Sequence, residues 1–456
     1  MATIRVGTAS PCTQATTPAT IALLAQLAAR ASRQKIDILV LPEAFIGGYP
    51  RGSTFGCAIG SRTAQGREEF VRYFEQAVDL GDTVGDGAGA GVRWVRRDMH
   101  GHGHGDGGDA DGGGIDIKSP EGRGRGDGTR EELERIARDT GVFLVTGLIE
   151  KTGGSLYCAV VYVCPQAGMV GKRRKVQPTG SERLIWAQGN PATLRAISTT
   201  IRGQRVNLAA AICWENYMPL VRQALYAQNV NLYVAPTADA RDTWMSLMRT
   251  VGIEGRCFVV SSNMCVRQQQ QAAPAARRHS SHAVQDTIAE DAREDAARDS
   301  SAVEGGEGEP PASIVPAARH RRRKSVFDED GNEIVLSCSA DAEICEDESS
   351  PTALRISTHP AHALAHTPGA ALTTTTTPAT TGTAAFSCRG GSSIVSPFGD
   401  VLAGPQWEDD HGLIYADIDL RDCIGGRLDL DTAGSYSRND SFKFSVEGLQ
   451  LDPLPY

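Results

Sequence analysis

Three residues far apart in the chain are of types that do chemistry together: a thiol at Cys213, a carboxylate at Glu43 and an ammonium at Lys175. Cys213 closes the apolar run Val206 to Ile212 and precedes a helix-prone stretch from Met218 to Gln228. A thiol at such a junction lies near unpaired backbone N–H groups and the positive end of a helix dipole, which predicts a thiolate. The competing reading is a small buried hydrophobe. Glu43 follows a second apolar run, Ile38-Leu39-Val40-Leu41, and Gly47-Gly48-Tyr49-Pro50 must turn sharply behind it. A carboxylate at the edge of a core is costly unless paired or functional, although a solvated loop acid is the default. Lys175 ends the basic run Lys172-Arg173-Arg174-Lys175, ahead of a rigid turn at Pro178 and of Glu182, a candidate partner. A basic run ordinarily marks a solvated face or an anion contact. Converging strand ends that present thiol, carboxylate and ammonium supply a nucleophile, a base and an oxyanion stabiliser.

The elements that must position these groups alternate in type. Ile4 to Thr8 is a strand candidate, and a helix opens at Thr17 with Pro18 early and Ile21, Leu24, Ala25 and Ala28 on one face. Phe70, Phe74, Ala77 and Val78 mark a second amphipathic helix, and Leu133, Ile136 and Ala137 a third. Strands are expected at Val142 to Thr146 and Leu156 to Val163, joined as a hairpin across Gly153-Gly154. Beyond Cys213 come a strand at Leu232 to Ala235, a helix from Trp244 to Glu254 and a strand at Phe258 to Ser261. Ser392 to Val395 and Leu413 to Ile418 are strand candidates near the C-terminus. Apolar strands alternating with helices define an α/β class, the strands being buried on both faces.

Two stretches break this pattern. Residues 82–128 dissolve into Gly, Asp, His and Arg, where a glycine-rich tract is a better reading of His100, His102 and His104 than a metal site. Residues 268–386 carry a glutamine run, an acidic run at Glu304 to Glu309 and Thr373 to Thr377, which predict disorder. Arg321-Arg322-Arg323-Lys324-Ser325 lies within it, a basic run of a kind common by chance in such sequence. The expected organisation is one domain over 1–446, interrupted by these two insertions, with a tail at 447–456.

A net charge of −9 over 456 residues argues against a general nucleic-acid binder. No apolar run is long enough to span a bilayer, and Met1 to Ile38 lacks a basic region followed by a clean apolar stretch. The eleven cysteines form no compact disulfide framework, so a reducing cytoplasm is expected.

Three segments are similar to the active-site motifs of nitrilases. They are Leu41-Pro42-Glu43-Ala44-Phe45-Ile46-Gly47-Gly48-Tyr49-Pro50, Arg174-Lys175-Val176-Gln177-Pro178-Thr179-Gly180-Ser181-Glu182-Arg183 and Cys213-Trp214-Glu215-Asn216-Tyr217-Met218-Pro219. The resemblance covers about Thr3 to Gly81, Thr129 to Arg267 and Ser387 to Val446. It implies a four-layer α-β-β-α sandwich, a homo-oligomer, a small-molecule nitrile substrate and no metal or organic cofactor. It also implies that Glu43 is the base, Cys213 the nucleophile and Lys175 the stabiliser of tetrahedral states. Glu182 then matches the family's second glutamate, and the Trp214 backbone N–H is a candidate oxyanion donor.

The sequence departs from the family pattern at Arg173 and Ser435, where histidine is usual. Cyanide hydration and amide hydrolysis are the enzymatic alternatives. Asn216 stands where cyanide-degrading relatives tend to carry histidine, and the amidase branches usually lack Trp-Glu-Asn after the cysteine. A catalytically weak scaffold is the alternative of another class.

Overall fold

The structure, a computed structural model, describes residues 3–82, 126–268, 324–327, 333–336 and 386–456. The alternating histidines at 100–104, the runs at 304–309 and 373–377, and Arg321 to Arg323 lie outside the described residues. Two compact units are distinguished, residues 1–271 with 382–456, and residues 272–381. In the second, the described residues form one antiparallel hairpin, Lys324–Phe327 with Glu333–Leu336.

In the first unit the chain order begins β1 (Ile4–Ala9), α1 (Thr17–Arg33) and β2 (Ile38–Val40). The short hairpin β3 (Cys57–Ala58) and β4 (Ser61–Arg62) and the helix α2 (Ala64–Gln76) follow. Then come α3 (Thr129–Thr140), β5 (Phe143–Thr152), β6 (Ser155–Cys164) and β7 (Gly168–Arg174). The second half has β8 (Ile197–Ile201), β9 (Gln204–Ala210), α4 (Pro219–Tyr226), β10 (Leu232–Thr237), α5 (Thr243–Gly255), β11 (Phe258–Asn263) and β12 (Cys265–Arg267). With the hairpin strands of the second unit numbered β13 (Lys324–Phe327) and β14 (Glu333–Leu336), the first unit continues with β15 (Phe386–Val395), β16 (Val401–Trp407), β17 (Leu413–Ile418) and α6 (Arg421–Gly426).

Two sheets result. One has the order β17-β1-β2-β5-β6-β7, and the other β12-β15-β11-β10-β9-β8 with β16 on β15. Side chains alternate in destination with period two, as a strand buried on both faces requires. Ile38, Val40, Val145 and Val160 of the first sheet meet Leu208, Val234 and Val260 of the second in a single inter-sheet core. Leu39, Leu144 and Val161 point the other way, against Leu24 and Leu27 of α1 and Leu133 of α3. Ala209, Tyr233 and Val259 likewise turn outward onto Val221 of α4 and Met248 of α5. The layers are therefore helix, sheet, sheet, helix. Each fully buried Val or Leu contributes about 1.5–3 kcal/mol, so three continuous apolar layers supply the driving force that fixes the strand ends.

Most expected elements are present, with informative differences. α2 stops at Gln76, and Val78 leaves it to bridge Glu150 at the sheet edge, so Ala77 and Val78 are buried without being helical. The basic run is not a solvated face. Its first three residues belong to β7 and are buried. The last residues pack as well: Leu449, Leu451 and Leu454 cover the outer core of the second sheet, and Asn207 and Asn229 donate to the carbonyls of Pro455 and Leu454.

One close approach ties this frame to the site. Gly147 of β5 lies under the segment after β2, and a Cβ there would fall 2.3 Å from the Pro42 carbonyl oxygen and 2.7 Å from the Glu43 Cα. Gly147→Ala should therefore displace the Glu43 turn, costing about 1–3 kcal/mol of stability as overpacking does. Thermal melting of the purified variant checks this; an unchanged midpoint would show that the turn gives way freely.

Candidate active site

Each candidate group sits just beyond a strand end. Leu41 still pairs with Val145 (N–H to carbonyl, 2.8 Å), after which the chain turns at Glu43, with Ala44 at φ +50° and Gly47 and Gly48 at φ +98° and +87°. Lys175 follows β7 directly, and its backbone N–H donates to the Cys158 carbonyl of β6 at 2.7 Å. Cys213 follows β9 and opens a five-residue 3₁₀ turn, Cys213–Tyr217, with φ +51°. A left-handed conformation in a non-glycine residue costs about 1–3 kcal/mol and persists only where its surroundings over-determine it. Here the Asn216 amide donates to the carbonyls of Ala211 (2.9 Å) and Cys213 (2.8 Å), and the Tyr233 hydroxyl donates to the Asn216 Oδ1 at 2.9 Å.

The three groups come together in the inter-sheet layer. Lys175 Nζ donates to Glu43 Oε1 at 2.7 Å and lies 2.8 Å from Glu182 Oε2, all three side chains being buried. The Cys213 thiol is near enough to Glu43 and Lys175 to shift their titration. Thr237 at the end of β10 donates to Cys213 Sγ at 3.2 Å. Glu182 is fixed by a 3₁₀ turn at Gly180–Leu184, capped by Thr179, whose N–H reaches Glu182 Oε2 at 2.7 Å. Tyr49 donates to Glu182 Oε1 at 2.9 Å, and its ring meets Trp186 edge-on. The Trp186 ring lies 5.5 Å from Lys175 Nζ, an aromatic face over the ammonium.

Burial decides the protonation preferences. Glu43 is pushed above the usual carboxylate range by loss of water, which the nearby Lys175 charge opposes. For Lys175 burial alone would lower the pKa, but the negative charge of Glu43 and its neighbours prevails and holds it well above the usual lysine value. The Cys213 thiol is raised well above the usual range, chiefly by burial and then by the Glu43 charge. This corrects the expectation of a dipole-stabilised thiolate: the turn after Cys213 is five residues of 3₁₀ helix, and the α-helix proper begins at Pro219. Burial thus favours the protonated thiol of Cys213. Glu43 Oε2 has no hydrogen-bond partner among the described residues, which leaves one carboxylate oxygen able to accept a proton.

Three further residues belong to the site. Cys158 of β6 places its thiol 3.5 Å from Glu43 Oε1, so a second sulfur touches that carboxylate. The inward register of β6 was the available signal. Glu215, two positions after Cys213, accepts from the backbone N–H groups of Val176 (2.7 Å) and Ile212 (2.8 Å). Asp239 accepts from the Trp214 indole at 3.0 Å, and Arg241, paired with Asp239, stacks over that ring at 4.7 Å. Trp214 is the second residue of the 3₁₀ turn, where backbone N–H groups have no intrahelical acceptor. Ser435 begins a separate exposed 3₁₀ turn, Ser435–Ser437.

A buried thiol, a carboxylate and an ammonium on the strand ends of a four-layer sandwich define a class of hydrolase, and the comparisons agree with it. Residues 119–282 match the carbon-nitrogen hydrolase family. An arylacetonitrilase of Trametes versicolor is 32% identical over 421 residues, 91% of this chain and 87% of that one. A bifunctional nitrilase/nitrile hydratase of Nicotiana tabacum is 30% identical, covering 96% of this chain and 84% of its own length. An aliphatic nitrilase of Sinorhizobium fredii is 30% identical, covering 95% and 91%. The chain belongs to the nitrilases, within the carbon-nitrogen hydrolases.

Two outcomes follow from this electrostatic arrangement. Lys175→Met would leave Glu43 and Glu182 buried without a counter-ion, and urea unfolding should show a loss of about 3–5 kcal/mol. Stability equal to wild type would mean that the three charges are not held together. Because the Cys213 pKa is raised, its thiolate fraction is small at neutral pH and grows as pH rises. Its alkylation by iodoacetamide, followed by peptide mass spectrometry, should therefore keep accelerating past the ordinary thiol range of about 8.5. A rate that levels off in acid would contradict the assignment.

Proposed function

We propose that the chain hydrolyses an organic nitrile to the carboxylic acid and ammonia through covalent intermediates on Cys213. The observation that carries this reading is the buried ammonium of Lys175 held between Glu43 and Glu182, with the buried Cys213 thiol in the same core layer. Glu43 takes the thiol proton as Cys213 Sγ attacks the nitrile carbon, and the nitrogen is protonated to give a thioimidate. Glu43 then activates a water. Its addition gives a tetrahedral state that expels ammonia and leaves a thioester, and a second water releases the acid and restores the thiol. Lys175, with the Trp214 N–H, stabilises the charge that develops in each tetrahedral state, and Glu182 keeps the ammonium oriented. The sulfur suits this electrophile, because a polarisable thiolate attacks a nitrile carbon better than a hydroxyl does.

The names of the relatives support a nitrile substrate, arylacetonitrilase and aliphatic nitrilase among them. The bifunctional nitrilase/nitrile hydratase of Nicotiana tabacum supports a second product from the same site. If the tetrahedral state loses sulfur before ammonia, the amide leaves instead of the acid.

Residues 82–128 and 268–386 are insertions in one domain on this reading. Asp127, near the end of the first, hydrogen-bonds to Asp79 just before it, and Phe386, the last residue of the second, pairs with Arg267 just before it. Nine cysteines are free among the described residues, which supports a reducing cytoplasm. No described helix is long and apolar enough to cross a membrane.

Incubation with phenylacetonitrile, 3-phenylpropionitrile, fumaronitrile and cyanide should release ammonia together with a carboxylic acid. Cys213→Ala should lower turnover by about 10⁴-fold or more with an unchanged circular dichroism spectrum. No ammonia from any nitrile, or persistent turnover in that variant, would overturn the reading.

A further inference from the structure

Of the basic run the chemistry above uses only Lys175, and Arg173 stands where the family usually has histidine. It is buried, with one guanidinium nitrogen donating to Glu215 Oε1 at 2.6 Å and another to the Ala210 carbonyl at 2.6 Å. Ala210 is the last residue of β9, so the Arg173 side chain crosses from the edge strand of one sheet to the strand that delivers Cys213. Its partner is more telling. Glu215 Oε1 also accepts from Val176, the residue after Lys175, and from Gln177 at 3.3 Å. Glu215 Oε2 accepts from Ile212, the residue before Cys213. One carboxylate thus ties the main chain beside the ammonium to the main chain beside the sulfur.

That clamp works only as an anion. Both carboxylate oxygens face backbone N–H donors, so a protonated Glu215 would have to turn an O–H toward an N–H. A buried carboxylate without a counter-charge is costly. Among the described residues, Arg173 supplies the ion-pair partner of Glu215.

We propose that Arg173 is a positioning residue: its guanidinium pairs with Glu215 and holds that carboxylate across the two backbone segments, so that Glu215 fixes the separation of Lys175 and Cys213. The nitrilase reading enters only through turnover, because the separation can also be read from the reactivity of Cys213.

The test uses the full chain with R173Q, R173K, E215Q and the double variant R173Q/E215Q. R173Q should lower kcat by about 10- to 100-fold with a much smaller change in KM, since a displacement of about 1 Å between reacting groups costs that much. Alkylation of Cys213 by iodoacetamide should slow in the same variant, with its pH profile displaced. R173K, which keeps the charge, should recover most of both losses. The double variant should be no worse than R173Q, because both changes break one clamp.

Wild-type kcat and alkylation in R173Q would overturn the proposal, as would a lowered melting midpoint with neither of them changed. Losses in R173K equal to those in R173Q would do the same. Should R173Q fail to fold, R173K decides: alkylation near wild type supports the clamp, and alkylation as slow as in E215Q overturns it. A wild-type chain that releases no ammonia from any nitrile sinks the nitrilase reading, while the alkylation series still judges Arg173.

Discussion

The structure depends on keeping ionised groups out of water without leaving any of them uncompensated. Lys172, Arg173, Arg174 and Lys175 are consecutive and all buried. Moving one such ion into a protein interior costs several kcal/mol even after relaxation, so the arrangement is viable only if each meets an anion in good geometry. Each does. Lys172 and Arg174, on the same face of β7, share Glu150, while Arg173 meets Glu215 and Lys175 meets Glu43 and Glu182. Attraction in this dry setting is strong and depends on good geometry, so the charges do more than cancel: they fix where β7, the Glu43 turn and the Cys213 turn lie relative to one another.

The sheets make that possible by ending their parallel strands together. β2 is parallel to β1 and β5, and β10 to β9 and β11. Glu43 follows β2, Cys213 follows β9 and Thr237 ends β10, so the reactive groups gather at the carboxyl ends of parallel strands. Open α/β sheets commonly place their sites there, because turns leaving these ends are free to carry function while the strands stay packed. The inter-sheet core beneath is apolar, which explains why the thiol and the carboxylate are both displaced toward their neutral forms while the doubly paired ammonium is not.

Much of this was legible in the chain because its strongest signals are local. The apolar runs before Glu43 and Cys213, the turn glycines at 47 and 48, and the 3.6-residue pattern of α1 each state their structure within a dozen residues. What was not legible depends on distant partners. The run 172–175 looks solvated until Glu150 and Glu215 are known to lie against it. Cys213 looks activated by a helix until the turn after it proves too short and the apolar layer around it is seen. β8 and β16 were missed for another reason: they are edge strands whose polar alternation and Pro405 carry little of a buried strand's signature. Cys158 was hidden as one apolar-looking residue among many in β6.

The pairing of β1 with β17 couples segments far apart in the chain, Ile4 lying opposite Ile418. The carbonyls of Leu454 and Pro455 are likewise held by Asn229 and Asn207. On the ribosome, then, β1 must wait with one edge unsatisfied until β17 has emerged. Such remote closures slow folding and prolong the life of incomplete sheets, whose bare edges invite association. This architecture places its period of greatest vulnerability during synthesis, before the final strand arrives.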